Sequence, residues 1–315
     1  MIKKRITPIL FLLFVWLPAV SCTTTPDLES HWLKPLPKKE VHQLPLLVET
    51  EWLAENSNSF KTRIIDFGRT VEDYLTGHIP DAVFVNRNIV WDEVDGIVGM
   101  LPSVETIIST LETAGISDDH TIVIYDAFGG LWASRLFWAL EYLGHNDVHI
   151  LNGGWNKWAR EGRNVQVEAF TAPPGHFTGH IQPGFVADKA WILKNLTNPG
   201  VQVIDARSVK EYMGEDIRSA KGGHIPGAVN LNWISNLAHD DFQTILPIED
   251  LRKLYESQGI SKDKIVVTYC QTGVRGAHIY FVLRHLGFSN VRNYDGSWAE
   301  WGNDLETPIE TITTN

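Results

Sequence analysis

Cys270 lies where a thiol could carry out chemistry. It follows an apolar run, residues 264–269, and precedes a segment that we expect to form a helix from about Gly276 to His285. A sulfur atom at this junction would face the backbone N–H groups of the intervening loop and the positive end of the helix dipole, with Arg275 nearby. These features favour the thiolate, which is the nucleophilic form of cysteine. The pattern therefore predicts a site for sulfur or anion chemistry.

The composition is that of a folded protein with an excess of acidic residues. The chain has 315 residues, of which 43% are hydrophobic and 21% are charged, and this length allows two domains with their own cores. The net charge of −11 argues against a nucleic-acid partner, because such a partner needs a basic face. No histidine, cysteine or carboxylate cluster has the spacing of metal ligands, and no glycine-rich phosphate-binding loop is present in the sequence. We therefore expect no metal and no cofactor.

The sequence repeats itself once. Each copy holds the same short motifs in the same order and at similar spacing, which a duplicated domain explains. The matching segments are 64–66 and 203–205, 77–83 and 223–229, 121–126 and 265–270, and 152–155 and 295–298. In the third pair, Asp126 stands where the second copy has Cys270.

Both copies alternate short β-branched runs with helix-like segments. In the second copy we predict strands at residues 200–205, 228–231, 265–269 and 291–294, and amphipathic helices at 247–258 and 276–286. This alternation predicts an α/β fold of two tandem domains, each a mostly parallel sheet with helices on both faces. Ligands of such sheets bind at the carboxyl ends of the strands, which is where Cys270 falls.

The composition also varies along the chain in a way that predicts boundaries. A stretch with Pro173-Pro174-Gly175 and Pro183-Gly184 separates the two copies. We expect a signal peptide at 1–21, a tether at 22–44, a first domain at 45–169, a linker at 170–183, a second domain at 184–305 and a tail at 306–315.

The first residues resemble an export signal. Lys3-Lys4-Arg5 precedes an apolar run, residues 9–20, that is too short for a membrane-spanning helix. Residues 19–22 resemble a bacterial lipobox, in which Cys22 would become the acylated first residue; ordinary cleavage after Ser21 is the alternative. We therefore expect a periplasmic protein of the cell envelope that is attached to a membrane only through lipid on Cys22. A soluble periplasmic or secreted protein is the alternative.

The repeated motifs resemble those of the rhodanese family of thiosulfate and 3-mercaptopyruvate sulfurtransferases in its tandem form. These motifs are Asp205-Ala206-Arg207, residues 223–228, the Cys270 loop (residues 270–275) and residues 294–298 with Glu300-Trp301. The resemblance covers residues 45–305, most of the chain. It implies a catalytically silent first domain, in keeping with Asp126, and a second domain whose cysteine forms a persulfide.

The resemblance also implies a reaction. The Cys270 thiolate would take the outer sulfur of thiosulfate as a persulfide and pass it to cyanide or to a thiol. We expect Arg275 to select an anionic donor, because the mercaptopyruvate branch of the family has a neutral loop. Pairing of Arg275 with a nearby carboxylate is the alternative, and 3-mercaptopyruvate stays open as a donor. The persulfide anion would be held by the backbone N–H groups of Gln271, Thr272, Gly273, Val274 and Arg275.

Other residues could support this site. Arg207 and Arg218 could bind the substrate, although we favour a structural tie between Arg207 and Asp205, and Arg218 could be a surface charge. Glu211 stands where the family has another substrate arginine, which weighs against 3-mercaptopyruvate. His78 precedes Ile-Pro, as its counterpart in the second copy does. This repetition favours a structural turn, and a supporting role for His78 at the domain interface is the alternative.

Two other functions stay open at this level. Cysteine-dependent phosphatases and arsenate reductases also use a loop from cysteine to arginine, but theirs has one more residue than the four between Cys270 and Arg275. The other is a non-enzymatic sensor or partner-binding module of the envelope, although a pure binding module would have no need of the thiol. Both explain the intact loop less well than a sulfurtransferase does.

Overall fold

The computed structural model describes residues 44–57, 59 and 61–311. The predicted signal peptide, Cys22 and nearly all of the predicted tether lie outside these residues, as does the end of the predicted tail, 312–315. Among the described residues, no helix is both long and apolar enough to cross a membrane.

The first domain is built on a parallel sheet. Its strands are β1 Leu47–Val48, β2 Thr62–Phe67, β3 Ala82–Val85, β4 Asp92–Val94, β5 Ile97–Met100, β6 Thr121–Tyr125 and β7 Val148–Leu151. Five of them form the parallel sheet in the order β1-β7-β6-β2-β3, and β4 and β5 form a separate antiparallel hairpin. The helices are α1 Thr50–Asn56, α2 Val71–Thr76, α3 Val104–Thr113, α4 Leu131–Tyr142 and α5 Gly154–Arg160.

The second domain repeats this plan. Its strands are β8 Val186–Ala187, β9 Val201–Asp205, β10 Val229–Asn230, β11 Ile265–Tyr269 and β12 Val291–Tyr294. Its helices are α6 Lys189–Asn195, α7 Val209–Met213, α8 Ile248–Ser257, α9 Val274–His285 and α10 Ser297–Trp301. The strands are all parallel and lie in the order β8-β12-β11-β9-β10, which is the order of the first sheet. The predicted α/β fold with two tandem parallel sheets is confirmed.

Helix α9 differs from its prediction in two respects. It begins at Val274 instead of Gly276, because Gly273 takes a φ of 77° and caps the helix directly after the loop. It is also not amphipathic, since Val274 and all residues from Gly276 to Leu283 are buried. The reason is its position: α9 packs against α4 of the first domain as well as against its own strands.

Helices α4 and α9 form the main contact between the two domains. Phe137 and Phe281 pack edge to face with their ring centroids 5.0 Å apart, and one apolar core continues across the contact. Glu141 on α4 accepts a hydrogen bond of 2.8 Å from Tyr280 and forms an ion pair of 3.1 Å with Arg284, both on α9. This packing brings loops of the first domain up to those of the second.

The described part of the predicted tail packs on the second domain. Trp301 Nε1 donates to the Pro308 carbonyl at 2.8 Å, and Glu310 and His224 exchange backbone hydrogen bonds of 2.9 Å. In the predicted linker, Ala172 and Phe177 are buried in the apolar core.

Candidate active site

Cys270 follows β11, the central strand of the second sheet, and so lies at the carboxyl edge. Its backbone N–H donates to Ser297 Oγ at 3.2 Å, and its carbonyl accepts from the N–H of Trp298 at 2.9 Å. The next carbonyl, of Gln271, accepts from the same segment at 2.8 Å. The turn after β12 (the Asp295 turn, residues 295–299) therefore fixes the main chain around the thiol.

The Cys270 loop presents a row of unused hydrogen-bond donors. Among the described residues, no acceptor is found for the backbone N–H groups from Gln271 to Gly276. Gly273, in the middle, takes a left-handed conformation that bends the chain, and α9 begins at the next residue. Successive N–H groups in such a bend, next to a helix N-terminus, form an anion-binding nest. Cys270 is only 1% exposed, so a reagent must reach it with a terminal atom.

The equivalent loop of the first domain is filled by its own side chain. Asp126 follows β6 at the position of the cysteine, and its carboxylate is buried. Oδ1 accepts from the N–H groups of Phe128 and Gly130, both at 2.9 Å. Oδ2 accepts from those of Trp132 and Ala133 at 2.8 and 3.1 Å. Burial raises the pKa of Asp126 and these hydrogen bonds oppose the rise, so this Asp126 loop (residues 126–133) binds a carboxylate through its backbone.

Arg275 is held by a carboxylate. Its terminal nitrogens donate to the two oxygens of Glu211 at 2.7 and 2.8 Å. Burial raises the pKa of Glu211, but the bonds from Arg275 outweigh burial and lower this pKa to about 2. For Arg275, burial lowers the pKa, but the hydrogen bonds from Arg275 to Glu211 and the nearby acidic groups raise it above its ordinary value. The carboxylate pairing considered from the sequence is thus present, and selection of the donor by Arg275 stays a prediction.

Arg218 lies on the outer side of Glu211. Its side chain is half exposed, is bonded to Asp216 at 2.6 and 3.0 Å, and lies 3.5 Å from Glu211. The side-chain amide of Gln271 donates to Ser219 Oγ at 3.1 Å and to the Arg218 carbonyl at 3.4 Å. The fold therefore brings Arg218 next to the Cys270 loop, and a contact with substrate stays a prediction.

Arg207 makes structural contacts, as favoured from the sequence, and its binding of substrate stays a prediction. Its buried guanidinium donates to both oxygens of Asp205, at 2.6 to 3.0 Å, and to the Gly223 carbonyl at 2.7 Å. It also lies over the Trp298 ring, 4.3 Å from the centroid. The Tyr269 hydroxyl donates to Asp205 at 2.6 Å. Asp205 and Arg207 therefore support the strand ends beside the thiol.

His78 is a structural turn residue. Its Nδ1 donates to the Tyr74 carbonyl at 2.9 Å, its ring stacks on Tyr74 at 3.8 Å, and its backbone pairs with Gln166. His224 makes the same contacts with Tyr212 in the second domain, at 2.8 and 3.6 Å. These partners of His78 all belong to its own domain, and a supporting role at the domain interface stays a prediction.

Two parts of the first domain reach the Cys270 loop and the Asp295 turn beside it. Gly99 in β5 packs so closely that a Cβ on it would lie 2.7 Å from Thr272 Cβ. Arg135 on α4 donates to Asp295 at 2.5 Å, and Asp295 also accepts from the N–H of Leu101 at 2.8 Å. Neither contact follows from the sequence patterns. The available signal is Arg135 itself, a cation in a helix whose other residues are mostly apolar.

Comparison with known proteins places these features in one family. The rhodanese-like domain family matches residues 49–161 and again residues 188–304. The sulfur carrier protein TtuD of Thermus thermophilus is 37% identical over 282 residues, which cover 84% of this chain and 96% of TtuD. The thiosulfate sulfurtransferase of Pseudomonas aeruginosa is 34% identical over 270 residues, 85% of this chain and 97% of its own. The 3-mercaptopyruvate sulfurtransferase of Escherichia coli is 30% identical over 277 residues, which cover 84% of this chain and 98% of that enzyme.

Solved structures share this fold. The anaerobic ergothioneine biosynthesis enzyme from Chlorobium limicola, in complex with trimethyl histidine, is 26% identical with a TM-score of 0.76 and covers 88% of this chain and 73% of its own. The EanB variant in complex with ergothioneine has the same identity and TM-score, with coverage of 86% and 71%. The family match includes both domains, and the alignments cover nearly the full length of the relatives. The chain therefore belongs to the rhodanese family and carries its domain in two tandem copies.

Proposed function

We propose that this protein is a sulfurtransferase that moves sulfane sulfur from thiosulfate, or a similar anionic donor, through a persulfide on Cys270 to cyanide or a thiol. The observation that carries the proposal is the Cys270 loop, which joins a cysteine to a row of backbone N–H groups that have no acceptor in the described part of the chain. The Asp126 loop supports it, because the equivalent backbone there binds a carboxylate. Two relatives that span most of the chain are named as sulfurtransferases.

The transfer takes place in two half-reactions. The Cys270 thiolate attacks the outer sulfur of thiosulfate; a new S–S bond forms, the bond to the central sulfur breaks, and its electron pair leaves on sulfite. The persulfide anion then accepts hydrogen bonds from the loop. The acceptor attacks the outer sulfur, the S–S bond to Cys270 breaks, and its electron pair returns to the thiolate.

The charges beside the loop favour an anionic donor. Arg218 presents a half-exposed guanidinium, and Arg275 lies at the end of the loop with its charge largely balanced by Glu211. A dianion such as thiosulfate therefore meets an accessible cation and a cradle of N–H groups. The second candidate donor is 3-mercaptopyruvate, because a relative at 30% identity is named for it and Thr272 supplies a hydroxyl in the loop.

The test is an assay of the purified protein with thiosulfate and cyanide. We expect thiocyanate, and without cyanide a mass gain of one sulfur atom on Cys270; Cys270→Ser should show neither. Parallel assays use 3-mercaptopyruvate and an aryl phosphate. Faster turnover of 3-mercaptopyruvate would identify the second donor, and release of phosphate would replace the proposal with a phosphatase. No turnover of any substrate would reject sulfur transfer in favour of a sensor.

We also propose that the first 21 residues carry the protein to the cell envelope and that lipid on Cys22 holds it there. The support is the order of basic, apolar and small residues in this segment. Cells fed labelled palmitate should label the wild type and not Cys22→Ser. Label that persists in the variant would refute acylation at Cys22, and an unlabelled wild type in the periplasmic fraction would indicate ordinary cleavage.

A further inference from the structure

Asp295 connects the first domain to the main chain of the reacting cysteine. One of its carboxylate oxygens accepts from Arg135 Nη2 at 2.5 Å, and the other accepts from the N–H of Leu101 at 2.8 Å. Two residues further along, Ser297 Oγ accepts the N–H of Cys270 at 3.2 Å. A continuous set of contacts therefore leads from α4 of the first domain, through the Asp295 turn, to Cys270.

The domain interface also contains the reverse arrangement, in which a turn of the first domain is held by the second domain. Asn152, at the position equivalent to Asp295, accepts the N–H of Ile245 from the second domain at 3.0 Å. The turn after the last long strand of each domain is therefore held by the backbone of the other domain.

Arg135 also has a counterpart, His278. Each is the fifth residue of its helix, α4 and α9 respectively, and each extends to a loop of the other domain. The Nε2 of His278 donates to the Gly129 carbonyl in the Asp126 loop at 3.1 Å. The Asp126 loop is thus supported by the imidazole of His278, and the Cys270 loop by the guanidinium of Arg135. Burial keeps the imidazole neutral by lowering the pKa of His278 to about 4.

The surroundings of Arg135 indicate more than an ion pair. Its side chain is fully buried, and Nη2 also donates to the Gly99 carbonyl at 2.8 Å. Its Nη1 has no hydrogen-bond partner among the described residues, although a buried donor that is left unpaired destabilises the fold. A Cβ on Gly273 would lie 2.7 Å from Nη1, so the guanidinium rests against the bend of the Cys270 loop.

We propose that Arg135 is a positioning residue for sulfur transfer: it holds Asp295 and supports the bend at Gly273, so that the N–H groups of the Cys270 loop converge on the persulfide. This inference rests on the proposed sulfurtransferase function. It gives the first domain, whose own loop is filled by Asp126, a defined part in the reaction of the second.

The experiment measures persulfide formation in a single turnover with thiosulfate. Arg135→Gln should lower its rate about 100-fold, as expected for a small displacement of reacting groups. The KM for thiosulfate should change less than about 3-fold, because Arg135 does not touch the donor. Arg135→Lys keeps the positive charge but loses the planar guanidinium with its several donors. Its rate of persulfide formation should be about 10-fold below that of the wild type. Asp295→Asn should match Arg135→Gln, and the double variant should be no slower than either single variant.

His278→Gln is the matched control, since it makes the same substitution at the equivalent position behind the Asp126 loop. Its rate of persulfide formation should stay within about 3-fold of the wild type. If Arg135→Gln only lowers the unfolding temperature while the folded protein reacts at the wild-type rate, the inference is overturned. An equal loss in His278→Gln overturns it as well. Should Arg135→Gln fail to fold, Arg135→Lys and Asp295→Asn decide by the same measurement.

Failure of the proposed function gives a different result. If the wild type forms no persulfide with thiosulfate or 3-mercaptopyruvate, sulfur transfer is rejected, and alkylation of Cys270 by iodoacetamide across pH then tests the positioning alone. A profile displaced to higher pH in Arg135→Gln supports the role of Arg135, because the thiolate would have lost N–H donors. Identical profiles in the wild type and the variant overturn it.

Discussion

Glu211 binds the guanidinium of Arg275 with both carboxylate oxygens, at 2.7 and 2.8 Å. Glu211 lies on α7, where it also caps the helix with Ser208, whereas Arg275 lies in the first turn of α9. The pair therefore joins the segment after β9 to the Cys270 loop and keeps the charge of Arg275 beside the thiol. Removing either partner should change both the stability of the protein and the charge of the site.

Glu211→Gln should lower the free energy of unfolding near neutral pH by about 3 kcal/mol, because a buried guanidinium loses its ionised partner. The pKa of Glu211 is about 2 in the folded protein, against about 4.3 in an unfolded chain. Its contribution is therefore present above about pH 4.3 and is lost as the pH falls toward 2. Urea unfolding of the wild type and Glu211→Gln should show the difference between their free energies of unfolding becoming smaller as the pH falls over this range. A difference that does not vary with pH would contradict the prediction.

Arg275→Thr should lower kcat/KM for thiosulfate by at least about 10-fold and affect 3-mercaptopyruvate less, because a dianion depends more on a charged hydrogen-bond donor. Initial rates with both donors measure this. Arg218→Thr is the control for a cation farther from the loop, and its effect should be smaller and should fade at high salt. Equal losses for the two donors would remove Arg275 from donor selection.

Gly273→Ala should disable the Cys270 loop beyond the strain of its backbone. Gly273 and Gly259 have positive φ values of 77° and 68°, so alanine costs about 1–2 kcal/mol at either position. Only at Gly273 would the new Cβ meet other atoms, Arg135 Nη1 at 2.7 Å and the Asp295 carbonyl at 3.1 Å; at Gly259 nothing lies within 4 Å. We expect Gly259→Ala to form the persulfide normally and Gly273→Ala to be at least about 10-fold slower. Equal behaviour in stability and rate would disprove this.

His278→Gln should change how stability depends on pH. The pKa of His278 is about 4 in the folded protein because of burial, and about 6.5 in an unfolded chain. Between these values the unfolded chain binds a proton that the folded protein does not, so stability falls as the pH decreases, by up to about 3 kcal/mol. His278→Gln lacks this term. Chemical unfolding should show that the free energy of unfolding falls less in the variant than in the wild type between about pH 7 and about pH 4.5. Equal decreases in the two proteins would contradict the prediction.

Much of the fold followed from local patterns. Strands at 265–269 and 291–294 were predicted with their observed bounds, because short β-branched runs between turn signals are read directly from the chain. For helix α9 the predicted start lies two residues after the observed one, Val274. The predicted amphipathic pattern is also wrong, because such a pattern assumes that a helix packs against other elements on one face only. This helix has two neighbours, and the second belongs to the other domain.

The sequence by itself determined the duplication and the parallel α/β plan, and it singled out Cys270 as the proposed nucleophile. All three depend on residues that are close together in the chain, above all a cysteine directly after a buried strand and before a glycine that bends the loop. The tertiary structure decided what the arginines do. Arg275 meets Glu211 64 residues away and Arg135 meets Asp295 160 residues away, whereas Arg207 is turned inward to Asp205. A charge in a sequence shows that a partner is needed, but only packing selects the partner, because burial makes an unpaired charge too costly to keep.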